Sequence, residues 1–260
     1  DHPHVQELLP RVQKRHVTYG LSPLSDYRAQ DIRFDGLTTR FRVLRRGVPL
    51  GEEKGEVELH MPGAHNVLNA LAAVAVSDFL VVPFAVCQQG LAGFEGVGRR
   101  FTVRGQHAGV MVVDDYGHHP AEVRATLAGA RSGFADRRLV VAFQPHRYSR
   151  TRDLMLEFAR AFNDAELVVV TDIYAAGEEP LPGISGEALA QAMRDHGHRG
   201  VRHVARRGEV AHTLLPLVRP GDIVITLGAG DVWQCGEELL ELLGAAPGRR
   251  PGSGFAAQLG

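Results

Sequence analysis

Seven consecutive residues, 114–120, carry two carboxyl groups, a phenol and two imidazoles in the sequence DDYGHHP. They follow an apolar run and precede a helical run. So many titratable groups directly after a strand indicate a functional loop. A metal site is conceivable because Asp and His are common ligands, but adjacent residues rarely point at one ion, so it ranks lower. The plain alternative is a surface loop with an aspartate cap and solvated histidines.

Two arginines three residues apart, Arg147 and Arg150, follow the apolar run 139–143 and open the next helical stretch. On a helical turn, residues at this spacing share a face. The N-terminal end of a helix dipole disfavours cations, so two guanidinium groups there indicate an anion between them. A substrate carboxylate or phosphate is the natural candidate. The alternative is a pair of surface arginines bonded to acidic neighbours.

Asn66 and Asn69 lie on one face at the start of an alanine-rich helical run. An amide side chain both donates and accepts, which suits the edge of a purine ring. On residue chemistry alone, plain capping of this helix by His65 or Asn66 is the favoured interpretation.

The turn Gly228-Ala229-Gly230-Asp231 resembles half of a dinucleotide fingerprint, but Trp233 occupies the position of the third glycine. The motif is therefore weak evidence for a cofactor, and a tight strand-to-helix turn is the better interpretation. The sequence contains no G-x-x-x-x-G-K-[ST] phosphate loop.

From about residue 101, short β-branched runs alternate with helical runs, which predicts a parallel sheet covered on both faces. The fold class expected is α/β, with a mainly parallel, doubly wound sheet. Such a sheet places functional residues where strands end and helices begin. The expected strands are residues 110–113, 139–143, 167–171 and 223–227, and the expected helices are 121–131, 152–162, 186–194, 209–217 and 232–243.

The first part of the chain has a different pattern, with glycine turns between strand-like runs and two helical runs after them. Its expected strands are residues 16–19, 27–34, 37–45 and 56–60, and its expected helices are 5–13, 65–81 and 84–93. We therefore predict one domain over residues 1–98 and a second over 99–244. Residues 245–260 are rich in glycine and proline without periodicity, which predicts a disordered tail.

The composition is that of a globular protein, with 44% hydrophobic and 23% charged residues. The formal net charge of −1 gives no basic excess for nucleic-acid binding. No apolar run reaches the roughly 20 residues that a membrane span needs. The two cysteines, Cys87 and Cys235, indicate neither a disulfide framework nor a zinc site, and they fit a reducing cytoplasm.

Taken in order, the motifs of this chain resemble those of the Mur ligases. The resemblance covers most of residues 1–243, although the first fifty or so match only loosely. The loops DDYGHHP and FQPHRYSRT are specific to the alanine-adding branch, and the murein-peptide-recycling branch differs in both. The matching segments are MPGAHNVLNALAA from Met61, GVGRRF from Gly96, VDDYGHHPAEV from Val113, FQPHRYSRTRD from Phe143, DIYAAGE from Asp172 and LGAGDVW from Leu227.

The resemblance implies that residues 1–98 form the last part of a central ATPase domain. Residues 99–244 would then be a complete, Rossmann-like C-terminal domain. In that family the phosphate loop, the magnesium ligands and the UDP-binding domain precede this region. This stretch alone is therefore expected to be inactive.

The implied reaction is the ATP-dependent, ADP-forming joining of L-alanine to UDP-N-acetylmuramate, for peptidoglycan synthesis in a bacterial cytoplasm. ATP and Mg2+ are the implied cofactors, with no metal ligand on this chain, no nucleic-acid partner and no membrane insertion. By the family's pattern, the adenosine and phosphate contacts are His65, Asn66, Asn69, Arg100 and Asp115, where Arg100 reaches the ATP phosphates and Asp115 the ribose hydroxyls. Around L-alanine and the reacting centre lie Tyr116, His118, Arg147 and Arg150.

Two other classes of function stay open on the residues alone. One is a nucleotide- or amino-acid-binding module without catalysis. The other is a metal-dependent hydrolase built on the Asp/His loop.

Overall fold

The computed structural model describes residues 1–51 and 55–245. The chain divides into two compact units. The N-terminal unit consists of residues 1–96 with 132–134, and the C-terminal unit consists of residues 97–131 and those from 135 onward. The tail expected over residues 245–260 lies outside the described residues, apart from Ala245, which ends the last helix.

The N-terminal unit is a small sheet with one helix of 16 residues packed on it. The strands β2 and β3 are antiparallel, β5 and β4 pair with β3, and β1 runs parallel to β2. Its strands are β1 (Tyr19–Gly20), β2 (Tyr27–Asp35), β3 (Thr38–Arg45), β4 (Val48–Pro49) and β5 (Glu56–Leu59), and its helices are α1 (Pro3–Leu8), α2 (Ala64–Phe79) and α3 (Phe84–Ala92).

Alternation along β3 explains how this sheet packs. Phe41 and Val43 are buried, whereas the intervening Arg42 is only partly covered, so one face of the strand lies against a core. That core includes Leu71 and Val74 of α2. The helix expected over residues 5–13 is shorter than predicted, because a 3-10 turn at Leu9–Arg11 follows α1.

The C-terminal unit is a six-stranded sheet in the order β10-β9-β8-β11-β7-β6, parallel except for the antiparallel edge strand β6. The predicted mainly parallel α/β fold is thereby confirmed. Its strands are β6 (Thr102–His107), β7 (Val110–Asp115), β8 (Leu139–Phe143), β9 (Leu167–Val170), β10 (Val201–His203) and β11 (Ile223–Leu227). Its helices are α4 (Pro120–Gly133), α5 (Tyr148–Asp153), α6 (Met155–Ala159), α7 (Gly186–Asp195), α8 (Val210–Leu214) and α9 (Trp233–Ala245).

The central strands β7, β8 and β11 are buried along their whole length. On one face, Val140 and Val224 belong to a core that also contains Leu214 of α8 and Leu239 of α9. On the other face, Phe143 contacts the ring of Phe158 in α6, with ring centroids 5.5 Å apart. Continuous burial of this kind is why the strands read as unbroken apolar runs rather than alternating ones.

The register of the sheet aligns the carboxyl ends of three neighbouring strands. Leu227 at the end of β11 is paired with Asp115 of β7 on one side and with Phe143 of β8 on the other. The chain leaves β8 toward β9, whereas helix α9, which follows β11, packs on β7 and β6. The connections therefore diverge between β8 and β11. Ligands of doubly wound sheets bind at such a switch point.

In the C-terminal unit, two predicted helices differ in their bounds, and the one expected over residues 209–217 is the shorter α8. The run expected over residues 152–162 begins earlier, at Tyr148, and is interrupted at Leu154, whose φ of −117° lies outside the helical range. The result is two short helices, α5 and α6.

Candidate functional site

The polar loop after β7 is held in shape by Asp115, which is only 4% exposed. Its Oδ2 accepts the N–H of Phe101 at 2.9 Å, and its Oδ1 accepts the N–H of Gly117 at 2.8 Å. Burial raises the pKa of Asp115, and these two hydrogen bonds offset part of the rise. In this structure Asp115 therefore anchors the loop that carries Tyr116 and His118.

A second buried acid, Asp114, is 1% exposed and is paired with Arg99, whose Nε lies 3.0 Å from Oδ2. The other carboxylate oxygen accepts the hydroxyl of Thr226 at 2.9 Å. The same guanidinium donates to the carbonyl of Gly228 at 2.6 Å and lies over the ring of Tyr116, 4.9 Å from its centroid. Arg99 thus joins the loop after β7 to the glycine turn after β11.

Arg100, the neighbour to which the family resemblance assigns the ATP phosphates, is exposed. Its Nη1 lies 3.7 Å from Oε1 of Glu122, a loose pairing that leaves the guanidinium accessible to an anion. The other oxygen of Glu122 accepts the backbone N–H groups of His118 and His119, which directly precede α4. Burial by itself would raise the pKa of Glu122, but those hydrogen bonds and the nearby positive charges lower it.

Four aromatic side chains form a row across the carboxyl ends of β7, β8 and β9, which we call the ring row: Tyr116, His118, His146 and Tyr174. Tyr116 meets His118 edge-on, with centroids 5.2 Å apart and planes at 87°. The centroids of His118 and His146 are 5.9 Å apart. His146 stacks on Tyr174 at 5.4 Å with planes only 9° apart. Neither His146 nor Tyr174 was singled out by the sequence.

Backbone pairing fixes one end of the ring row. The N–H of Arg147 donates to the carbonyl of Tyr174 at 2.9 Å, and the N–H of Tyr174 donates to the carbonyl of Pro145 at 2.8 Å. The loops after β8 and β9 therefore run side by side, in a parallel bridge between His146 and Tyr174.

Arg150 points at the ring row. Its Nη1 lies 3.4 Å from both Nδ1 and the carbonyl oxygen of His146. Among residues 1–51 and 55–245, no carboxylate forms a salt bridge with Arg150. A guanidinium beside an imidazole, without a carboxylate, is suited to an anionic ligand.

Arg147 lies differently from the sequence interpretation, which put both arginines on one helical turn. The helix α5 begins at Tyr148, so Arg147 precedes it, with a left-handed φ of 72°. Its exposed guanidinium lies 3.9 Å from Glu178. Glu178 also accepts the N–H of Ser149 at 2.9 Å and its hydroxyl at 2.6 Å. The alternative of an acidic neighbour therefore describes Arg147, but not Arg150.

The glycine turn after β11 packs against residues of the site. A Cβ on Gly230 would lie 2.3 Å from Oε1 of Gln144 and 2.8 Å from the ring of Tyr174, so no side chain fits. The amide of Gln144 donates to Asp231 at 2.9 Å and accepts the N–H of Asp231 at 3.1 Å. These contacts support the interpretation of a tight turn that lines the crevice.

In the N-terminal unit, the asparagine face at the start of α2 is engaged locally. Asn66 is 5% exposed, donates to the carbonyl of Pro62 at 2.8 Å and accepts from Asn69 at 3.4 Å. Asn69 is exposed and His65 is half-buried. The residue before the helix is Gly63, and no side chain caps this helix. Asn66 therefore does not cap the free N–H groups, although the sequence favours that interpretation.

Among residues 1–51 and 55–245, no group of three His, Cys, Asp or Glu side chains is placed to hold a metal ion. No helix in this part of the chain combines the length and apolarity that crossing a membrane requires. Both cysteines are buried free thiols, and burial raises the pKa of Cys235 to about 11.

Comparison with known proteins gives consistent matches over both units. A UDP-N-acetylmuramate–L-alanine ligase of Sorangium cellulosum is 58% identical over 237 residues, which are 90% of this chain and 50% of that protein. The ligase of the same name from Myxococcus xanthus is 56% identical, over 95% of this chain and 51% of its own length. The chain therefore spans about half the length of the curated relatives it matches.

Solved structures that resemble this chain carry names of the same kind as its curated relatives. The crystal structure of UDP-N-acetylmuramate–alanine ligase from Thermotoga maritima superposes with a TM-score of 0.73 at 29% identity, covering 87% of this chain and 47% of that one. A murein peptide ligase from Psychrobacter arcticus gives 0.57 at 25% identity, covering 88% and 46%. The family model of the Mur ligase middle domain matches residues 1–77, and that of the Mur ligase glutamate ligase domain matches residues 99–230. On these matches, the chain belongs to the Mur ligase family.

Proposed function

We propose that this chain supplies the C-terminal half of a UDP-N-acetylmuramate–L-alanine ligase. Relatives of that name share 52% to 59% of its residues. The observation that carries the proposal is Arg150, a guanidinium without a carboxylate partner among the described residues, which lies against the imidazole of His146, itself a neighbour of His118. An amino acid bound there would place its carboxylate on Arg150 and its ammonium group near the ring row.

The chemistry is the formation of an amide from a carboxylate and an amine. ATP phosphorylates the lactyl carboxylate of UDP-N-acetylmuramate, and the amine of L-alanine attacks the acyl phosphate. The tetrahedral intermediate collapses to the amide, releasing phosphate. Arg150, together with Arg147, would hold the alanine carboxylate and offset the negative charge of the reacting centre.

The residues assigned to ATP differ in how well their surroundings fit the role. Arg100 and Asn69 are exposed and weakly engaged, so they can meet a phosphate and a purine edge. Asn66 and Asp115 are buried with their polar atoms already hydrogen-bonded. We infer that Asn66 mainly orients Asn69, and that Asp115 offers the ribose only its remaining lone pairs. His65 completes the purine contact in this proposal.

Mg2+ would neutralise charge on the ATP phosphates, and its ligands are expected from the half of the ligase that this chain does not span. Glu122, whose pKa lies below its ordinary value, is a carboxylate at neutral pH and lies beside Arg100. In this proposal the ATP phosphate takes its place as the partner of the guanidinium. A bacterial cytoplasm is the location that this substrate set implies.

The test uses what we call the full-length ligase, this sequence joined to the N-terminal half of the Myxococcus xanthus relative. Incubation with ATP, UDP-N-acetylmuramate and each of L-alanine, glycine and L-serine should yield an amide product and ADP, most rapidly with L-alanine. The N-terminal half alone should give none. No product with any amino acid, although the protein is folded and binds ATP, would contradict the proposal and leave a binding module as the function.

A further inference from the structure

The contacts of the two histidines of the ring row favour opposite tautomeric forms. His118 has its Nδ1 3.0 Å from the carbonyl oxygen of Tyr116. A carbonyl oxygen only accepts, so Nδ1 must carry the hydrogen, and the neutral ring keeps its lone pair on Nε2. Glu122 lies 3.6 Å from the same Nδ1 and would stabilise positive charge on this ring.

His146 has the reverse arrangement. Its Nδ1 lies 3.4 Å from Nη1 of Arg150, and a guanidinium only donates, so Nδ1 must be the unprotonated nitrogen. The hydrogen is then on Nε2. Burial lowers the pKa of His146, and the charges of Arg150, His118 and Arg147 lower it further, against a smaller opposing effect of Glu178. A neutral His146 therefore offers a donor and no base.

The proposed function makes this difference chemically important, because L-alanine arrives as an ammonium ion and its nitrogen must lose a proton before it can attack. We propose that Nε2 of His118 accepts that proton, while the Nε2–H of His146 serves only as a hydrogen-bond donor to the bound substrate. One N–H bond of the ammonium breaks, its electron pair stays on nitrogen, and His118 becomes an imidazolium. This inference rests on the proposed function for its substrate.

Glu122 is then a positioning residue that acts through His118. It accepts the backbone N–H of His118 at 3.0 Å and faces the protonated side of the ring. This is the relation of a carboxylate to a catalytic histidine in acyl-transfer sites, where the acid fixes the tautomer and stabilises the imidazolium. In this site the carbonyl oxygen of Tyr116 makes the shorter contact with Nδ1 of His118, and the carboxylate of Glu122 provides the negative charge that stabilises the imidazolium.

The tautomers can be measured without any ligase activity. Long-range 15N–1H spectra of this chain, labelled at histidine and recorded near pH 9, distinguish the two neutral forms. The signals are assigned with His118→Gln and His146→Gln. We expect the Nδ1–H form at His118 and the Nε2–H form at His146. The Nε2–H form at His118 would overturn the inference and leave the proposed function untouched.

A second measurement separates proton removal from the earlier steps in the full-length ligase. Hydroxylamine is a neutral nucleophile that traps acyl phosphates without needing a base. We expect His118→Gln to lower kcat with L-alanine about 100-fold, with KM changed less than about threefold, and to retain hydroxylamine-dependent ADP release. Glu122→Gln should lower kcat by about three- to tenfold in the same pattern.

The exposed neighbour His119 supplies the control, since its ring contacts only the backbone N–H of Ala121 in the described structure. His119→Gln should keep the wild-type rate. Equal losses with L-alanine and hydroxylamine in His118→Gln would overturn the role as a base, and so would wild-type alanine kinetics in that variant. If the unmodified full-length ligase is folded and binds ATP but adds no L-alanine, the proposed function itself fails, whatever the tautomers are.

Discussion

Arg99 and Asp114 form an ion pair at the carboxyl end of β7, with 3.0 Å between Nε and Oδ2 and the carboxylate 1% exposed. The pair does more than neutralise a buried charge. Because the guanidinium also contacts Gly228 and Tyr116, it sets the spacing of two loops that line the crevice.

Removing Arg99 should therefore cost far more stability than removing its neighbour. Arg99→Ala leaves a buried carboxylate with only Thr226 as a partner, and we expect the free energy of unfolding to fall by about 3 kcal/mol. Arg100→Ala, at an exposed site, should change it by less than about 0.5 kcal/mol. Urea denaturation followed by the fluorescence of Trp233, the single tryptophan, reports on the C-terminal unit. Equal losses in the two variants would contradict this account.

The protonation of His146 should depend on Arg150. NMR titration should show the pKa of His146 below its usual value of about 6.5, because burial and then Arg150 disfavour the charged ring. Arg150→Gln should raise that pKa only part of the way, because burial is the larger cause. The control is Arg152→Gln, an exposed residue of α5 paired with Asp153, which should leave the titration unchanged.

The same shift has a defined sign for stability. A histidine whose folded-state pKa is depressed contributes stability that is fully present above the unfolded value of about 6.5 and is lost as pH falls through the folded value. On acidification through that window, the protonation of His146 should therefore reduce the free energy of unfolding more in the wild-type chain than in the Arg150→Gln variant. A pKa of His146 at or above 6.5 would remove the basis of both expectations.

Gly230 should tolerate no side chain, because a Cβ there would overlap Gln144 and the ring of Tyr174. We expect Gly230→Ala to destabilise the C-terminal unit by about 1–3 kcal/mol and to disturb the stacking of Tyr174 on His146. Gly208→Ala is the matched control, since nothing lies within 4 Å of its added Cβ and its φ is not positive. Thermal melts and the ring-proton shifts of His146 measure the two effects. Unshifted ring signals in Gly230→Ala would show that the turn does not support the ring row.

Burial on both faces leaves an unbroken apolar pattern, and the sequence therefore predicts four strands of the sheet, β7, β8, β9 and β11. The edge strand β6 could not be predicted. A register shift between Val103 and Gly105 breaks its alternation, and most of its residues are partly or fully exposed. Strand β10 has only three residues, too few for any period to appear.

The candidate site, like the fold, could be predicted only in part from the sequence. Topology indicates which loops follow strands, and these include the loops that carry Asp115, His118 and Arg150. The stack of His146 on Tyr174 depends on how two loops 28 residues apart align, and no local pattern encodes that. The preference of Asp114 for Arg99 over Arg100 likewise follows from which of two adjacent side chains turns inward. The roles of the assigned residues in binding ATP and L-alanine stay predictions.

The most direct test of the account is the steady-state kinetics of Arg150→Lys in the full-length ligase, with L-alanine and ATP varied separately. A lysine cannot reproduce a bidentate guanidinium–carboxylate contact. We predict that kcat/KM for L-alanine falls at least about tenfold, or about 1.4 kcal/mol, while that for ATP changes much less and the unfolding free energy stays within about 0.5 kcal/mol. Wild-type kinetics with L-alanine would contradict the assignment, and a large fall in Tm would show instead that Arg150 is structural.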